Sequence, residues 1–349
     1  MIGNLKFIDS IRASHENRGW LVIVVLATLL ISVMIVAALI GETPVGANDI
    51  WNAFIHWLKG QPQLKTSEQI AWEFRIPRVI LASLVGMALA ISGTCLQAMF
   101  RNPMADPFIL GISAGGALGA TVAVAAALPS WFLPPFAFVG SSAAVGIVYT
   151  LGRSGGVVRT DKLLLTGVAL SAMFSAIMSL LLVLRANEDI VQRIYFWLLG
   201  GFWNATWSHI FWILPYVSLG LLIAFKYSHP LNALLMGEEW AHYVGVDIEK
   251  LKKLIILAAA LSCGAAVAVS GLIGFVGLLC PHIVRLLIGP NHRFLIPGAA
   301  LMGAILLVSC DIPARSMLSA EGIPVGIFTA LIGVPFFLYL LRRSHQSYG

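Results

Sequence analysis

Gly111-Ile112-Ser113-Ala114-Gly115 spells G-x-S-x-G, the pattern of a nucleophilic serine on a sharp turn, and His282 is a candidate base for it. That elbow needs a strand, a turn and a helix in a soluble sheet. Here the serine lies in an apolar run. Gly111, Gly115 and Gly119 recur every fourth residue, which suits close helix packing. An intramembrane serine hydrolase is therefore a minor reading. His282 and Arg285 follow Pro281 in a second apolar run. Polar groups at membrane depth are costly and often functional; bonding to carbonyls freed by the proline is the favoured alternative. Cys95, Cys263, Cys280 and Cys310 stand singly in apolar segments, with no CxxC or Cys/His ligand spacing. They read as small helix residues, and no metal site or cofactor is expected.

Arg75, Arg78 and Arg315 are the more suggestive cations. Arg75 and Arg78 lie three apart with Pro77 between them, and Arg315 ends Asp311-Ile312-Pro313-Ala314-Arg315. Guanidinium groups grip carboxylates through two parallel hydrogen bonds. An acidic partner docking at these positions would account for them; pairing with Glu73 or Asp311 inside the chain is the alternative. The chain lacks G-x-x-x-x-G-K-[ST], so it does not cradle nucleotide phosphates by that device. It also lacks paired carboxylates in mid-span, which weighs against an ion-coupled secondary transporter. Energy for transport would then come from a partner, or transport is passive.

Membrane-spanning helices must position these residues. Hydrophobic residues make up 59% of the 349 and charged residues 11%, against about 25% charged in soluble domains. Trp20 to Ile40 carries no charge and is long enough to cross about 30 Å of hydrocarbon. Apolar runs and polar breaks predict ten spans, near 20–40, 77–99, 105–127, 133–152, 163–184, 209–226, 254–277, 281–290, 295–312 and 325–341. A broken helix is expected at Pro281. The net charge of +6 does not imply nucleic acid, because its distribution is lopsided. Lys6, Arg12, Arg18, Arg101, Arg153, Arg159, Lys162, Lys226, Lys250, Lys252, Lys253, Arg293, Arg342 and Arg343 fall on one side of these spans. Lys59, Lys65, Arg75, Arg78, Arg185, Arg193 and Arg315 fall on the other. The richer side is expected to be cytoplasmic, with both termini there.

Residues 86–111 recur at 264–289. Gly86, Ala88, Ala90, Ser92, Gly93, Pro103 and Gly111 match Gly264, Ala266, Ala268, Ser270, Gly271, Pro281 and Gly289. With five spans per half, the halves have opposite orientation, as in transporters built from inverted repeats. Outside the spans, Ile50, Phe54, Trp57 and Leu58 share one face of a helix expected to lie on the bilayer surface. Trp197, Trp203 and Trp207 suit an interfacial belt. Residues 229–252 are too charged to span and fit one or two short helices. Gly167, Ser171, Ser175 and Ser179 form a stripe that suits either packing or a polar conduit.

Several blocks resemble the FecCD/BtuC permeases, membrane subunits of type II ABC importers for iron–siderophores, haem and cobalamin. Asn102-Pro103-Met104-Ala105-Asp106-Pro107 with Ile109 to Gly115 is similar to the family's N-P-L-A-(D/E)-P…L-G-(I/V)-S-x-G. Phe275 to Leu278, Pro281 to Arg285 and Asn291 to Arg293 follow its FVGL…PHIxR…(D/N)HR order. Arg75 to Arg78, Asp311 to Arg315, Pro324 to Ile327 and Gly333 to Phe337 complete it. The resemblance covers nearly the whole chain from residue 75.

It implies an all-α polytopic membrane protein of about ten helices in two inverted halves, near 75–186 and 253–343, within one permease domain spanning 1–349. It implies a homodimer, or a pair with a related permease, two ATP-binding cassette subunits on the cytoplasmic side and a substrate-binding protein outside. Arg75, Arg78 and Arg315 would meet that binding protein. Gly237, Glu238, Glu239, Ala241, Val244 and Gly245, within the segment 229–252, would couple to the ATPase between spans six and seven. Ser171, Ser175 and Ser179, with Gly326, Thr329 and Gly333, would line the pathway. Thr160 and Asp161 would mark the cytoplasmic gate. The expected function is transport in the inner membrane of a metal chelate, ferric siderophore first, then haem or cobalamin, without an ATPase site in this chain.

Overall fold

The computed structural model describes residues 2–41, 43–62, 65–185, 188–317 and 322–345, with side chains from residue 16 onward. The side chains of Lys6, Arg12, Arg185 and Arg343 lie outside the described residues. The helices are α1 (Ile2–Leu39), α2 (Ala47–Leu58), α3 (Thr66–Ile70), α4 (Ile76–Met99), α5 (Ile112–Ala125), α6 (Leu133–Gly152), α7 (Thr160–Arg185) and α8 (Glu188–Leu199). They continue as α9 (Trp207–Lys226), α10 (Ser228–Leu235), α11 (Glu238–Tyr243), α12 (Ile248–Ser270), α13 (Val276–Ile288), α14 (His292–Ser316) and α15 (Val325–His345). A two-stranded hairpin, β1 (Arg153–Ser154) and β2 (Val157–Val158), joins α6 to α7. Among the described residues seven helices are long and apolar enough to cross a membrane, and three shorter apolar helices are α5, α13 and the apolar part of α15. Together these ten segments match the ten predicted spans.

α4 is the hub. It packs against α14, α12, α13 and α9, and nearly all its residues from Val79 to Met99 are buried. A helix apolar on every face belongs inside a bundle. Small residues permit its closest approaches: a side chain at Gly86 would collide with the Gly303 carbonyl on α14, and one at Gly93 with that of Gly277 on α13. Ser92 Oγ donates to the Ala259 carbonyl on α12, 3.1 Å away. α5 packs on α6 and α7, with Gly115 and Gly119 set against the backbone of Gly140 and Phe136. The glycine stripe is thus a helix–helix seam.

Three predicted boundaries differ from the structure. The third span does not run as one helix over 105–127. Asp106 accepts the Phe108 N–H at 2.8 Å, capping a 3₁₀ turn over Pro107–Leu110, and Gly111 (φ 77°) re-aims the chain into α5. At 14 residues, α5 is about 21 Å long, short of the hydrocarbon thickness. The seventh span stops at Ser270. Gly271 (φ 68°) leaves the helix with its α-carbon against the Trp197 carbonyl, where a side chain would not fit. Gly93, its counterpart in the first half, stays helical.

The expected break at Pro281 also moves. Phe275 (φ 68°) ends an irregular stretch after Gly271, and α13 then runs through Pro281. Proline removes the N–H that would bond the carbonyl four residues earlier. That carbonyl belongs to Gly277, and Gln97 Nε2 on α4 donates to it at 3.2 Å. Gln97 Oε1 in turn accepts from Arg285 Nη2 at 3.0 Å. Arg285 is thereby held within the repair of the proline site, close to the packing alternative set out for it above.

α2 forms as predicted, with the Gly46 N–H donating to Asp49 Oδ2 at 3.0 Å. Trp51, Phe54, Trp57 and Leu58 face outward, while Ile50 turns toward a small core of Val45, Ala53 and Ala71. The Trp57 ring lies 5.1 Å from Trp72, which lies 4.9 Å from Trp207. Trp207 Nε1–H donates to the Trp72 carbonyl at 3.0 Å.

Candidate functional site

The predicted residues fall at two ends of the bundle and along two of its sides. At one end, α1 finishes at Leu39, leaving carbonyls without intrahelical donors. Arg75, on the turn of π-helix (Ala71–Arg75) that leads into α4, supplies them: Nη1 donates to the Leu39 carbonyl at 2.9 Å and to the Ala38 carbonyl at 3.3 Å, and Nη2 to Thr43. Gly41 leaves the space its guanidinium fills. Arg315 Nη2 donates to the Ala37 carbonyl. Arg78 grips Asp311 with its fork, Nη2 to Oδ1 at 2.8 Å and Nε to both oxygens at 3.0 and 3.1 Å. Arg315 Nε lies 3.7 Å from the same carboxylate. Asp311 is buried and the Arg78 side chain is only 17% exposed. Asp311, rather than Glu73, is the internal partner. All three arginines are committed to holding the end of α1 and the ends of α4 and α14 together.

The opposite end is built from α10, α11 and the hairpin. Gly237 (φ 118°) and Gly245 (φ 85°) bracket α11 with conformations that favour glycine. Ala241 is buried beneath it, and Glu239 and Gly245 are exposed. Met236, Trp240, Tyr243 and Val244 present apolar surface, with Met236 74% and Tyr243 83% exposed. Arg101 joins Met236, Gly237, Glu238, Glu239, Trp240 and Tyr243 in lining an open groove of about 490 Å³. Asn232 on α10 fixes the segment to the start of α14. Its Oδ1 accepts the His292 N–H at 2.9 Å, and its Nδ2 donates to Asn291 Oδ1 at 2.9 Å. Residues near 101, 153–159, 229–252 and 291–293 thus gather at one end, as their shared excess of Lys and Arg predicted.

Lys252 was not singled out by sequence, and it is the best-connected side chain at this end. It is 2% exposed, and its Nζ lies 2.9 Å from both carboxylate oxygens of Glu238 and 3.0 Å from the Val158 carbonyl of β2. The Val158 N–H donates to Glu249 Oε2 at 2.9 Å. A signal was present: Lys252, Ile255, Ile256 and Ala259 share one buried helical stripe, whereas Lys250 and Lys253 point outward.

α7 and α15 carry the remaining candidates. Ser171 is half-buried and bonds back to the Gly167 carbonyl at 2.7 Å. Ser175 and Ser179 lie on the open face of α7 with Val168, Met173 and Leu180. On α15 the candidates turn inward. Gly326 sits against the Leu199 carbonyl, Gly333 against the Phe275 ring, and Thr329 is buried with its hydroxyl on the Gly326 carbonyl at 3.0 Å. The open face of α15 shows Ile327, Leu331, Val334 and Leu338 instead. Thr160 begins α7, and Asp161 pairs with Arg159 at 3.0 Å on the surface. Ser113 and His282 do not meet: the His282 ring lies against Phe336 on α15, 6.2 Å between centroids. The described residues hold no group of His, Cys, Asp and Glu able to bind a metal ion.

Charge is buried at one end, a charged segment with an exposed apolar cluster stands at the other, and apolar helix faces lie open between them. The sequence model of the FecCD transport family matches residues 28–343. The chain belongs to the FecCD transport family. Among its FecCD relatives, the cobalamin import system permease protein BtuC of Halobacterium salinarum is 44% identical over 281 residues, 80% of this chain and 74% of that protein. The hemin transport system permease protein HmuU of Yersinia pestis is 43% identical over 286 residues, 78% of this chain and 83% of that protein. A solved structure of a metal-chelate type ABC transporter in an inward-facing conformation matches with a TM-score of 0.82 and 32% identity, over 92% of this chain and 98% of that one. As a FecCD member this chain is an integral membrane permease subunit of an ABC importer, the transport component and not the ATPase.

Proposed function

We propose that this permease passes a bulky metal chelate from an external substrate-binding protein to the cytoplasm by alternating access, driven by two ATP-binding cassette subunits. The observation that carries the reading is the apolar surface of Met236, Trp240, Tyr243 and Val244 on a charged segment too polar to span. Soluble surfaces seldom keep such a cluster uncovered, and aromatic residues of this kind anchor interfaces. Its occupant is the ATPase, which places this end and both termini in the cytoplasm. The Arg101 groove receives part of that subunit.

The open faces of α7 and α15 meet a second permease, a like copy or a related chain, and enclose the pathway. Ser175 and Ser179 supply its polar lining, and Gly326, Thr329 and Gly333 seat α15 at the correct depth. Thr160 and Asp161, at the head of α7, stand where the pathway would close on the cytoplasmic side. At the external end Arg75, Arg78 and Arg315 bring three positive charges together, and one carboxylate, Asp311, pairs with Arg78 and Arg315. They shape the docking end and attract acidic groups of the binding protein, although each is engaged within the fold. One domain covers 1–349, with inverted halves near 75–186 and 253–343 joined through 229–252. The cargo class follows the relatives, which are named for cobalamin and hemin; a ferric siderophore shares their bulk and metal-chelate character.

Co-purification tests the reading. Trp240→Asp with Tyr243→Asp should fold normally yet lose its ATP-binding cassette subunit. Retention of that subunit at wild-type stoichiometry would refute the assignment of this surface.

A further inference from the structure

We infer that the β1–β2 hairpin is latched to the coupling segment through Lys252, so that displacement of α11 is handed directly to α7. The inference rests on the proposed coupling role of residues 236–245 and adds the route by which it reaches the pathway. Lys252 has three N–H donors, and its partners are both carboxylate oxygens of Glu238 on α11 and the Val158 carbonyl on β2. Glu249, one turn earlier on α12, accepts the Val158 N–H. Both backbone groups of one hairpin residue are therefore held by the coupling region. Val158 itself is fully buried.

The hairpin is suited to act as a short lever. Gly155 (φ 61°) and Gly156 (φ 90°) make its turn, a pairing that matches strand twist in tight hairpins. Arg153 Nε donates across it to the Gly156 carbonyl at 3.2 Å. The chain passes from Val158 through a single residue, Arg159, into the first residue of α7. Leu163, in the first turns of α7, accounts for the closest atoms to Gly152 at the end of α6. A buried ammonium held by a carboxylate and a carbonyl has few alternative positions, because moving away would leave it unpaired. The pair thus favours joint motion of α11, the start of α12 and the hairpin over sliding between them. Lys252 is a positioning residue in this scheme: it touches no cargo and acts through Val158.

The test uses the full importer, this chain with its ATPase and binding protein, in nanodiscs. The chain's four cysteines are buried, so cysteines introduced at Ser154 and Lys250, both exposed, take spin labels selectively. The Ser154–Lys250 distance should be the same in the nucleotide-free and ATP-trapped states. In a separate variant, Ser175→Cys on the open face of α7 should change its rate of maleimide labelling on ATP addition by about tenfold, a typical coupling magnitude. Lys252→Met should abolish that response while ATP hydrolysis continues. A changed Ser154–Lys250 distance on ATP binding, or an intact Ser175→Cys response in Lys252→Met, overturns the latch. Glu238→Gln, which keeps an acceptor on a carboxylate 40% exposed, should weaken the response partially and serves if Lys252→Met does not fold. Failure of the chain to assemble with any ATP-binding cassette subunit would instead remove the functional proposal on which the latch rests.

Discussion

At the end of the molecule that carries Arg75, Arg78 and Arg315, charge is turned inward. At the end formed by α10, α11 and the hairpin, apolar side chains are turned outward. The first end uses guanidinium groups as internal fasteners, closing the carbonyls of α1 and neutralising Asp311. The second buries one lysine and exposes Trp240 and Tyr243. Under the proposed function, the difference separates two tasks. A docking platform can be rigid, because its partner arrives and leaves; a coupling surface must adhere to its partner while transmitting movement.

That contrast can be broken most severely at Asp311. Asp311→Ala leaves Arg78 and Arg315 facing each other without their shared carboxylate, and should cost about 3–5 kcal/mol, the range for breaking a buried ion pair. Thermal unfolding of the detergent-solubilised protein should register it as a large fall in midpoint. Gly41→Val tests the same end through space alone. Its side chain would enter the volume of the Arg75 guanidinium, and about 1–3 kcal/mol of destabilisation is expected from such overpacking. If either variant unfolds like the wild type, the arginines are not fasteners.

At the other end the expected effects move from stability to association. Trp240→Asp should leave the unfolding midpoint nearly unchanged, since its ring is more than half exposed, yet weaken ATPase binding by on the order of 2 kcal/mol, as for an interface hot spot. Titration of labelled ATPase onto nanodisc-held permease would measure it. The smallest effect is expected at Lys253→Ala. Lys253 is exposed beside the buried Lys252, and its loss should change stability by no more than about 0.5 kcal/mol. A larger loss there than in Lys252→Met would mean that the buried lysine has been assigned the wrong role.

Much of the fold is legible in the sequence because the bilayer demands long apolar runs, and ten such runs are plain to read. Two of the three displaced boundaries depend on a partner far away in the chain, whereas the one before α5 is local, set by the Asp106 cap and Gly111. Pro281 does not break α13 because Gln97, 184 positions earlier, takes the freed carbonyl. Gly271 ends α12 with a left-handed φ of 68° against the Trp197 carbonyl, whereas Gly93, crowded as closely by the Gly277 carbonyl, stays helical. The sites divide in the same way. The segment 229–252, proposed to couple to the ATPase, stands out locally, as a charged interruption with bracketing glycines. The engagement of Arg75 with the end of α1 does not, because helix-end carbonyls carry no residue signature. Lys252 was hidden by its neighbours: Lys250-Leu251-Lys252-Lys253 reads as a solvated charge run until its place on the Ile255–Ile256–Ala259 stripe is noticed.

The most direct measurement is uptake into proteoliposomes that contain this permease, its ATP-binding cassette subunits and the binding protein, with cobalamin and hemin offered in turn outside. Accumulation of at least one cargo is expected only when ATP is supplied on the cassette side, and it should be lost in Trp240→Asp. Accumulation of the same cargo without ATP, driven by an imposed ion gradient and unaffected by Trp240→Asp, would contradict it.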